Sequence, residues 1–531
     1  MIVLGLNLSH HGAAALVVDS RITAAVTEER LTGQKRCGGV VKSARACLAI
    51  AGLPAAAVDA VAIANTNLPL ATEGPRATSL RGSLGLRQNA RLLRVGHHLA
   101  HAASAFLASG QDRALAVVID GSGSQWADGL ELESYYEFSS AGSRLLDRHL
   151  CSRAFPYVGI GRMYEAFAEH LGWSWADGGR VMGLAGLGRA ERAQCPPVFI
   201  EVDGHICANP ALLPRHGMPL PLPHFRQPRE TVRPEHADLA AAVQTATEAA
   251  VTRAVQARLR IYGLRHVAFA GGVALNVCLN RALLDLPETA SLFIQPAADD
   301  SGTALGAALF ASWLLERRRP EFQATAALGR QFDSDEIETI LARQTVELHW
   351  IRTDDPAVAA AKLLARRQII GWFQGRSEFG PRALGQRSIL ADPGDPLAAH
   401  RLNMEIKGRE WFRPFAPAVT EESADAFFDL PVPSPYMLLN ATVGNAWRAR
   451  LPAVTHADGT ARVQTVSQGQ NPLFHRLLRR LADLGLPPIA LNTSFNGPGQ
   501  PIVDSPGQAI ATFLARGLDA LVIGPFVVMA N

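Results

Sequence analysis

A repeated strand–turn–strand unit is the feature that most limits the folds open to this 531-residue chain. Apolar runs at Ile2–Ser9, Ala13–Asp19 and Ile22–Thr27 predict a meander of three buried strands. The pattern recurs where the run Ala114–Gly123 precedes the run Leu130–Phe138. Each copy ends an apolar strand on a polar group. A duplicated unit of this kind predicts an α/β fold built around a cleft.

Three histidines fall within five residues in the stretch VGHHLAHAASAF, Val95 to Phe106. On the predicted helix His97 and His101 are i and i+4, so they share one face about 6 Å apart, and His98 points elsewhere. Two imidazoles on one face form half of a metal site. The alternative is a pair of solvated or capping histidines. A zincin peptidase is excluded, because His98 stands where the HExxH motif needs glutamate.

Aspartates at strand ends are the candidates for the remaining ligands. Asp120 ends the strand in VVIDGSG, and Asp299 and Asp300 follow another strand in IQPAADDSGTALGAAL. Two histidines with one or two aspartates would leave open coordination positions, as catalytic metals require. The alternative is helix capping, for which Asp300 or Ser301 is well placed.

The segment RHVAFAGGVALNVCLN, Arg265–Asn280, predicts a strand, a Gly-Gly turn and the start of a helix. Backbone amides in such a turn can approach a nucleotide closely, and the helix N-terminus favours anions. A plain tight connection between strand and helix is an equally good interpretation of the motif alone.

Basic residues interleaved with Gly, Pro and Phe form a second cluster. The chain has four lysines, which leaves 47 arginines among its 51 basic residues, so the lysine at position 407 is notable. Arginine forks and a lysine point charge bind phosphates, and Ser, Thr and Asn after a strand donate to phosphate or carbonyl oxygens. The alternative is a solvated basic face. The cluster comprises Arg376, Arg382, Arg387, Lys407, Arg409, Arg413, Asn492, Thr493, Ser494 and Asn496.

Net charge, apolar runs and cysteine spacing indicate which binding partners and which cellular compartment to expect. A net charge of +3 is too small to predict nucleic-acid binding. The chain contains no run of about 18 apolar residues, so no membrane span is predicted. The N-terminus lacks the pattern of a signal peptide, and six cysteines without CxxC spacing predict free thiols, so a cytoplasmic location is expected. Seven prolines between Cys207 and Pro234 exclude regular structure there; the stretch shapes an acceptor pocket or is inert.

Ten stretches, in collinear order along essentially the whole chain, resemble the O-carbamoyltransferases of antibiotic biosynthesis and nodulation factors, typified by the tobramycin and cephalosporin enzymes. The stretches are LGLNLSHHGAAALVVD, TEERLTGQK, GHHLAHAASAF, VVIDGSG, GGRVMGLAGLG, FAGGVALN, DDSGTALGAAL, FGPRALGQRSILADP, IKGREWFRPFAP and LNTSFNGPGQPIV.

The resemblance implies an α/β protein with two domains. Residues 1–348 would form an actin-like (ASKHA) duplicated domain that binds metal and nucleotide and transfers the carbamoyl group. Residues 352–531 would form a domain resembling threonylcarbamoyl-AMP synthase, which takes carbamoyl phosphate and ATP. There phosphate leaves, carbamate attacks the α-phosphate to give carbamoyl-adenylate and pyrophosphate, and the adenylate passes to the first domain. Transfer to an acceptor hydroxyl then releases AMP.

The resemblance also implies roles for individual residues. The metal, Fe(II) or another divalent ion, would be held by His97, His101, Asp120 and Asp300, with Asp299 as a substitute for Asp300. Nucleotide contacts would come from Gly179, Gly272 and Asn276, and Lys35 would meet the adenylate phosphate. His10 would be the general base toward the acceptor hydroxyl. Carbamoyl phosphate and ATP, with its Mg²⁺, would be bound by Arg382, Lys407, Arg413, Asn492 and Ser494.

Two departures bear on these roles, and two other functions stay open. The family usually has His-Asp where this chain has His10–His11, and often Arg where Gln34 precedes Lys35.

The alternatives are an actin-like protein that only hydrolyses or senses ATP, and a tRNA threonylcarbamoylation protein. The acceptor hydroxyl is left open between cephem, macrolide, ansamycin and aminoglycoside, with the compact chain favouring a cephem. The sequence does not decide the oligomeric state, and a homodimer is one arrangement left open.

Overall fold

The computed structural model describes residues 1–64, 75–152, 158–202, 204–213, 219–344 and 348–529. It divides into two compact units. The first unit comprises Met1–Ser9, Ala13–Ile22 and Pro54–Gln323, and the second comprises His10–Gly12, Thr23–Leu53 and Ala324–Asn531. The predicted domain limits at 348 and 352 lie within the second unit and stay a prediction.

A five-stranded sheet begins the chain, because short apolar runs alternate there with tight turns. Its strands are β1 (Ile2–Asn7), β2 (Ala13–Val18), β3 (Arg21–Thr27), β4 (Ala60–Ala64) and β5 (Arg91–Val95). Their order is β3-β2-β1-β4-β5, with β1 and β2 antiparallel and β4 parallel to both β1 and β5. The predicted meander of the first three strands is confirmed.

A six-stranded sheet and a separate hairpin contain the next eight strands of the chain. They are β6 (Arg113–Ile119), β7 (Gln125–Trp126), β8 (Gly129–Ser139), β9 (Gly142–Cys151), β10 (Phe199–Val202), β11 (His205–Ala208), β12 (His266–Ala270) and β13 (Ser291–Ile294). The sheet order is β13-β12-β6-β8-β7, with β9 paired to β8, and β10 pairs with β11. Because β6 and β12 are parallel neighbours, the residues after their carboxyl ends meet at one edge.

The second unit contains a ten-stranded mixed sheet. Its strands are β14 (His349–Arg352), β15 (Ile370–Phe373), β16 (Arg387–Ala391), β17 (Ala416–Thr420), β18 (Phe428–Asp429), β19 (Leu439–Val443), β20 (Thr460–Val466), β21 (Ile489–Ser494), β22 (Ala520–Ile523) and β23 (Phe526–Met529). Their order is β14-β23-β22-β15-β16-β21-β17-β20-β19-β18. The predicted α/β class is confirmed, whereas the actin-like and synthase-like assignments stay predictions.

Fifteen α-helices lie among the described residues. They are α1 (Glu28–Thr32), α2 (Val41–Ile50), α3 (Pro75–Leu84), α4 (His97–Ser109), α5 (Ile160–His170), α6 (Gly178–Ala185), α7 (Pro234–Tyr262), α8 (Val277–Leu284), α9 (Gly302–Glu316), α10 (Ser334–Ala342), α11 (Pro356–Ala365), α12 (Ala398–Arg401), α13 (Asn445–Arg448), α14 (Pro472–Asp483) and α15 (Pro506–Arg516). Within the described ranges, no helix combines the length and apolarity needed to cross a membrane.

The crossing of α4 and α9 is the contact that positions the histidines. Both helices are rich in small residues, which lets their backbones approach closely. A Cβ atom added to Gly306 would lie 1.8 Å from the backbone oxygen of Ala100, a separation that no side chain can occupy. Glycine at this position therefore allows α4 to lie where its first turn reaches the end of β6.

The proline-rich stretch is irregular where it is described. After β11 a short 3₁₀ turn covers Pro210–Leu212, and no helix or strand follows among residues 219–233. Pro234 is the first residue of α7, where proline is tolerated because that N–H needs no helical partner. Residues 214–218, which include Pro214, lie outside the described part.

Candidate functional site

Four buried side chains of the first unit converge on one point. Their potential ligand atoms all lie within 4.8 Å of one another, and His97, His101, Asp120 and Asp300 are 0%, 0%, 8% and 8% exposed. The Nε2 atom of His97 lies 3.1 Å from Asp120 Oδ2 and 3.6 Å from Asp300 Oδ1. The Nε2 atom of His101 lies 3.3 Å and 3.9 Å from the same two oxygens. The predicted ligand set is thus brought together.

The four side chains come from positions on or next to three secondary-structure elements. His97 and His101 occupy the first two turns of α4, with ring centroids 4.7 Å apart. Asp120 follows the carboxyl end of β6, and Asp300 precedes α9. The Asp300 carboxylate is fixed from outside the cluster, because Ser9 Oγ donates to its Oδ2 at 2.8 Å.

Electrostatics hold the cluster in a charged form. Burial alone would lower the pKa of His97, but Asp300 and Asp120 outweigh it and raise that pKa to about 10. Burial would raise the pKa of Asp300, but His97 outweighs it and lowers that pKa to about 2. Burial would also raise the pKa of Asp120, but His101 and His97 outweigh it and lower that pKa well below its ordinary value. A metal cation that binds here would displace the proton that these histidines and aspartates share.

The donor set fits a divalent transition metal. Separations of 3.1 to 3.9 Å between ligand atoms suit an ion about 2 Å from each. Both ring nitrogens of His101 are buried without a hydrogen-bond partner among the described residues, and a metal bound at Nε2 would satisfy one of them. Two imidazoles and two carboxylates suit Fe(II), Zn²⁺ or Mn²⁺, and the arrangement does not select among them.

Hydrogen bonds around the cluster distinguish the surroundings of Asp299 from those of Asp300. Asp299 Oδ1 accepts the backbone N–H of Ser301 at 3.0 Å, so Asp299 shapes the turn before α9 while Asp300 faces the histidines. The alternative of Asp300 or Ser301 as a side-chain cap of α9 is wrong, because Ser301 is the N-cap and makes no such bond. His98 turns away as predicted, with its Nδ1 2.8 Å from Ser134 Oγ.

The Gly-Gly turn after β12 lies beside this cluster. Gly271 has a φ of 94°, a conformation that favours glycine, and Gly272 opens a short 3₁₀ turn that ends at Leu275. The Gly272 N–H donates to Asp120 Oδ1 at 3.2 Å. The predicted nucleotide-binding turn and the metal cluster therefore share a hydrogen bond.

Asn276 is fixed by a helix cap and by a glutamine that the sequence gave no reason to choose. Its Oδ1 accepts the Leu279 N–H at 3.1 Å, which caps α8. Its Nδ2 donates to Gln244 Oε1 at 2.9 Å, and the Tyr164 hydroxyl donates to the same oxygen at 2.8 Å. Gln244 lies in α7 among ordinary helix residues, so only the fold reveals it. Gly179, in α6, has open space where a side chain would be.

The second unit holds a cluster of cations around Lys407 and Arg462. Burial and the nearby charges of Arg409 and Lys35 lower the pKa of Lys407 well below its ordinary value. Burial and the charges of Arg382, Arg409 and Arg413 likewise lower the pKa of Arg462. The carboxylate of Glu410 lies 3.9 Å from the guanidinium of Arg413. Such an excess of positive charge fits a polyanionic ligand.

Lys407 is held by the loop after β21. Its Nζ donates to Asn496 Oδ1 at 2.7 Å and to Ser494 Oγ at 3.3 Å, and it also contacts the backbone oxygen of Ser494. Asn492 is fully buried, and its Nδ2 donates to Gln464 Oε1 at 2.7 Å. The predicted residues of this unit are therefore neighbours, although they come from three stretches of sequence.

Comparison with known proteins adds the decisive observation. The family model described as "Carbamoyltransferase N-terminus" matches residues 76–200 and 221–309. The model described as "Carbamoyltransferase C-terminus" matches residues 361–530. The nodulation protein NolNO of Sinorhizobium fredii is 37% identical over 98% of this chain and 79% of its own length. This chain belongs to the carbamoyltransferase family.

Other relatives of this carbamoyltransferase-family chain match over shorter regions or more weakly. The 3'-hydroxymethylcephem-O-carbamoyltransferase of Amycolatopsis lactamdurans is 35% identical over 48% of this chain and 47% of its own. The solved structure of T.kodakarensis HypF covers 60% of this chain and 48% of its own, at 15% identity and a TM-score of 0.39. That similarity is too low to bear on the fold.

Two arginines expected at the phosphate site of this carbamoyltransferase-family chain have a different role. Arg387 is fully buried and donates to the backbone oxygens of Gln374 and Gly375 at 2.8 and 3.1 Å. Arg376 donates to the backbone oxygens of Thr23 and Gly329. Both guanidinium groups are occupied with fixing loops, so neither is a strong candidate for binding phosphate.

His10 and Lys35 belong to the second compact unit. Lys35 is exposed and lies close enough to Lys407 for their charges to interact, which places it with the cation cluster. The His10 ring is exposed and packs against that of His11, with centroids 4.4 Å apart. Their roles toward an adenylate and an acceptor stay predictions.

Arg462 is the member of the cluster that sequence analysis of this family member did not identify. It lies on β20, where its neighbours Ala461 and Val463 are fully buried. Its Nε is buried and has no hydrogen-bond partner among the described residues. An arginine between the buried Ala461 and Val463 was the available signal, and it lies outside the three stretches from which the basic cluster was predicted.

Proposed function

We propose that this chain is an ATP-dependent O-carbamoyltransferase that forms carbamoyl-adenylate and transfers its carbamoyl group to a hydroxyl of a small molecule. The observation that carries the proposal is the presence of two unlike sites in one chain. The first unit has a cluster of imidazoles and carboxylates, and the second has six converging cations. Family membership supports carbamoyl transfer as the overall reaction.

The cation cluster is suited to the first stage. Carbamoyl phosphate and ATP are both polyanions, and Arg382, Lys407, Arg413 and Arg462 would bind their phosphate oxygens as charge-assisted donors. Ser494 Oγ and the Asn492 amide would orient the carbamoyl group. Water releases phosphate from carbamoyl phosphate, and a carbamate oxygen then attacks the α-phosphorus of ATP while pyrophosphate leaves. Mg²⁺ accompanies ATP in this step.

The buried cluster of the first unit is suited to the second stage. His97, His101, Asp120 and Asp300 would hold a divalent ion, which when bound supplies Lewis-acid polarisation of the carbamoyl oxygen. The Gly271–Asn276 turn would receive the nucleotide through its backbone N–H groups, and Gly179 would leave room for it. The general-base role toward the acceptor hydroxyl is proposed for His10, and binding of the adenylate phosphate is proposed for Lys35.

The acceptor is proposed as a hydroxylated natural product, because the cephem relative is named for carbamoyl transfer to a hydroxymethyl group of a small molecule. A cephem hydroxymethyl group is the first to test, followed by macrolide, ansamycin and aminoglycoside hydroxyls. The alternative of an actin-like ATPase gains no support from the cation cluster, since ATP hydrolysis alone needs no second phosphate site.

Product analysis tests the proposal. Purified protein is incubated with ATP, Mg²⁺, carbamoyl phosphate and a panel of hydroxylated antibiotic precursors. The proposal predicts AMP and pyrophosphate with a carbamoylated acceptor, formed only when carbamoyl phosphate is present. ADP and phosphate formed without carbamoyl phosphate would instead establish the ATPase, and AMP release that depends on tRNA would establish threonylcarbamoylation.

A further inference from the structure

Asn403 is a buried polar residue beside the cation cluster of the second unit, and none of the roles assigned above involves it. Its side chain is only 1% exposed. It lies on the π-helical turn Leu402–Ile406, which continues α12 and ends directly before Lys407. Single π-helical turns are rare and are found frequently at functional sites. The position of Asn403 therefore links it to the cations that follow.

The side chain of Asn403 fixes three residues of the next loop. Its Oδ1 accepts the Arg409 Nε–H at 2.7 Å. Its Nδ2 donates to the backbone oxygens of Trp411 and Arg413 at 3.1 and 3.0 Å. The Asn403 backbone oxygen also accepts the Arg409 N–H at 2.9 Å. One amide thus uses its oxygen and both of its N–H groups to hold the loop that carries two of the clustered arginines.

Arg409 has a central place among these cations. Burial is the main cause of the lowered pKa values of Lys407 and Arg462, and the charge of Arg409 contributes to both. The Arg409 guanidinium also lies over the Phe415 ring, 4.6 Å from its centroid. Arg409 is therefore held by an aromatic ring and by the amide of Asn403.

Cations that converge on one point need such support. Their charges repel one another, and ordering a long arginine side chain costs conformational entropy. A hydrogen bond from Arg409 to a neutral amide opposes both effects and leaves the positive charge intact. A carboxylate at position 403 would also hold the guanidinium, but it would cancel part of the charge that attracts a polyanion.

We propose that Asn403 is a positioning residue that holds Arg409 and Arg413 in the geometry that binds phosphate groups. This role rests on the proposed binding of carbamoyl phosphate and ATP by the cation cluster. Asn403 acts through the direction of the Arg409 guanidinium and the placement of the Arg413 backbone. An asparagine with a purely structural role would contribute to stability without a specific coupling to Arg409.

A double-mutant cycle separates the two roles. Inorganic phosphate is titrated by calorimetry into full-length wild-type protein, Asn403→Ala, Arg409→Met and the double variant. Asn403→Ala should weaken phosphate binding about 10-fold and Arg409→Met roughly 10- to 100-fold. In the Arg409→Met background, Asn403→Ala should cost less than about threefold, because residues that act as a unit are not additive. Effects that multiply would overturn the proposal.

Asn403→Asp keeps the test decisive if the alanine variant does not fold. The carboxylate has nearly the same shape and keeps an acceptor for Arg409, but it lacks the two N–H donors and adds a negative charge. Phosphate should bind at least about 10-fold more weakly to this variant, because part of the charge-assisted binding is lost. Binding as tight as in wild-type protein would contradict the role of Asn403.

Asn471→Ala is the matched control, because the Asn471 Oδ1 caps α14 by accepting the Phe474 N–H at 3.1 Å. This variant should unfold at a lower urea concentration and bind phosphate as wild type does. An equal loss of affinity in Asn471→Ala would show that affinity follows stability, and it would overturn the proposal. Folded wild-type protein that binds no phosphate would instead contradict the proposed function of the cation cluster, and the role of Asn403 with it.

Discussion

Asp120 and Gly272 are joined by a hydrogen bond of 3.2 Å between the Asp120 Oδ1 atom and the Gly272 N–H. The other oxygen of the same carboxylate lies 3.1 Å from His97 Nε2. One carboxylate thus connects the cluster of metal ligands to the turn proposed to receive a nucleotide. The link follows from topology, because the two residues come after the adjacent parallel strands β6 and β12.

Removing the support of a metal ligand should weaken metal binding without removing a ligand. Ser9 Oγ donates to Asp300 Oδ2, so Ser9→Ala should lower the affinity for Fe(II) about 10- to 100-fold, the usual effect of losing such a partner. Asp300→Asn should lower it further. The measurement is metal titration of stripped protein, and Ser109→Ala, which removes a hydroxyl at the far end of α4, should behave as wild type.

Adding one methyl group at the helix crossing should be costly. Gly306→Ala places a carbon against the Ala100 backbone oxygen, so we expect a loss of about 1–3 kcal/mol in the free energy of unfolding, with weaker metal binding because α4 is displaced. Urea unfolding measures the first effect.

The matched control for that substitution is Gly82→Ala in α3, where an added Cβ meets nothing within 4 Å. It should be neutral or stabilising by about 0.4–1 kcal/mol, because the unfolded chain loses conformational freedom. Equal destabilisation by both substitutions would show that the α4–α9 contact is looser than described.

Arg462 should contribute to binding rather than to stability. Arg462→Met removes a charge-assisted donor, so carbamoyl phosphate should bind roughly 10- to 100-fold more weakly, equivalent to about 1.5–3 kcal/mol. Unfolding free energy should hold or rise, because repulsion from Arg382, Arg409 and Arg413 is relieved. Isothermal titration calorimetry checks the affinity, with Arg480→Met, whose side chain pairs with Asp483 on the surface, as the control.

Anion binding should be coupled to proton uptake through Lys407. Its pKa is lowered well below 10.5 in the folded protein, and a bound phosphate would raise it again. Between the lowered pKa and 10.5, binding of inorganic phosphate should therefore take up protons, measured as a dependence of the binding enthalpy on the ionisation enthalpy of the buffer. The uptake should be lost in Lys407→Met.

The same lowered pKa fixes the sign of a stability effect. In that pH window the unfolded chain keeps the Lys407 proton and the folded chain has released it, so unfolding takes up a proton. The contribution of Lys407 to the free energy of unfolding then increases with rising pH. A contribution that decreases across the window would contradict the lowered pKa.

The parts of the site that sequence predicted are those governed by local geometry. The i, i+4 spacing of His97 and His101 determines a shared helix face, and Asp120 ends a strand whose apolar run is unambiguous. Element positions followed from apolar periodicity in the β1–β3 meander, where the predicted ends lie within one or two residues of the observed ones.

The remaining features depend on contacts distant in sequence. Arg387 and Arg382 stand in the same Gly-rich stretch, and only the fold shows that Arg387 is used on backbone oxygens. Arg462 lies on β20, which pairs with both β17 and β19, and no local pattern encodes these pairings. The sequence likewise gave no sign that Thr23–Leu53 belongs to the second compact unit, because that assignment depends on contacts with residues far along the chain.

The exchange of labelled pyrophosphate into ATP, in the absence of any acceptor, tests the central claim most directly. Formation of carbamoyl-adenylate predicts exchange that requires carbamoyl phosphate, disappears in Lys407→Ala and persists in His101→Ala. Folded protein that catalyses no exchange, or exchange that is independent of carbamoyl phosphate, would contradict the carbamoyl-adenylate account.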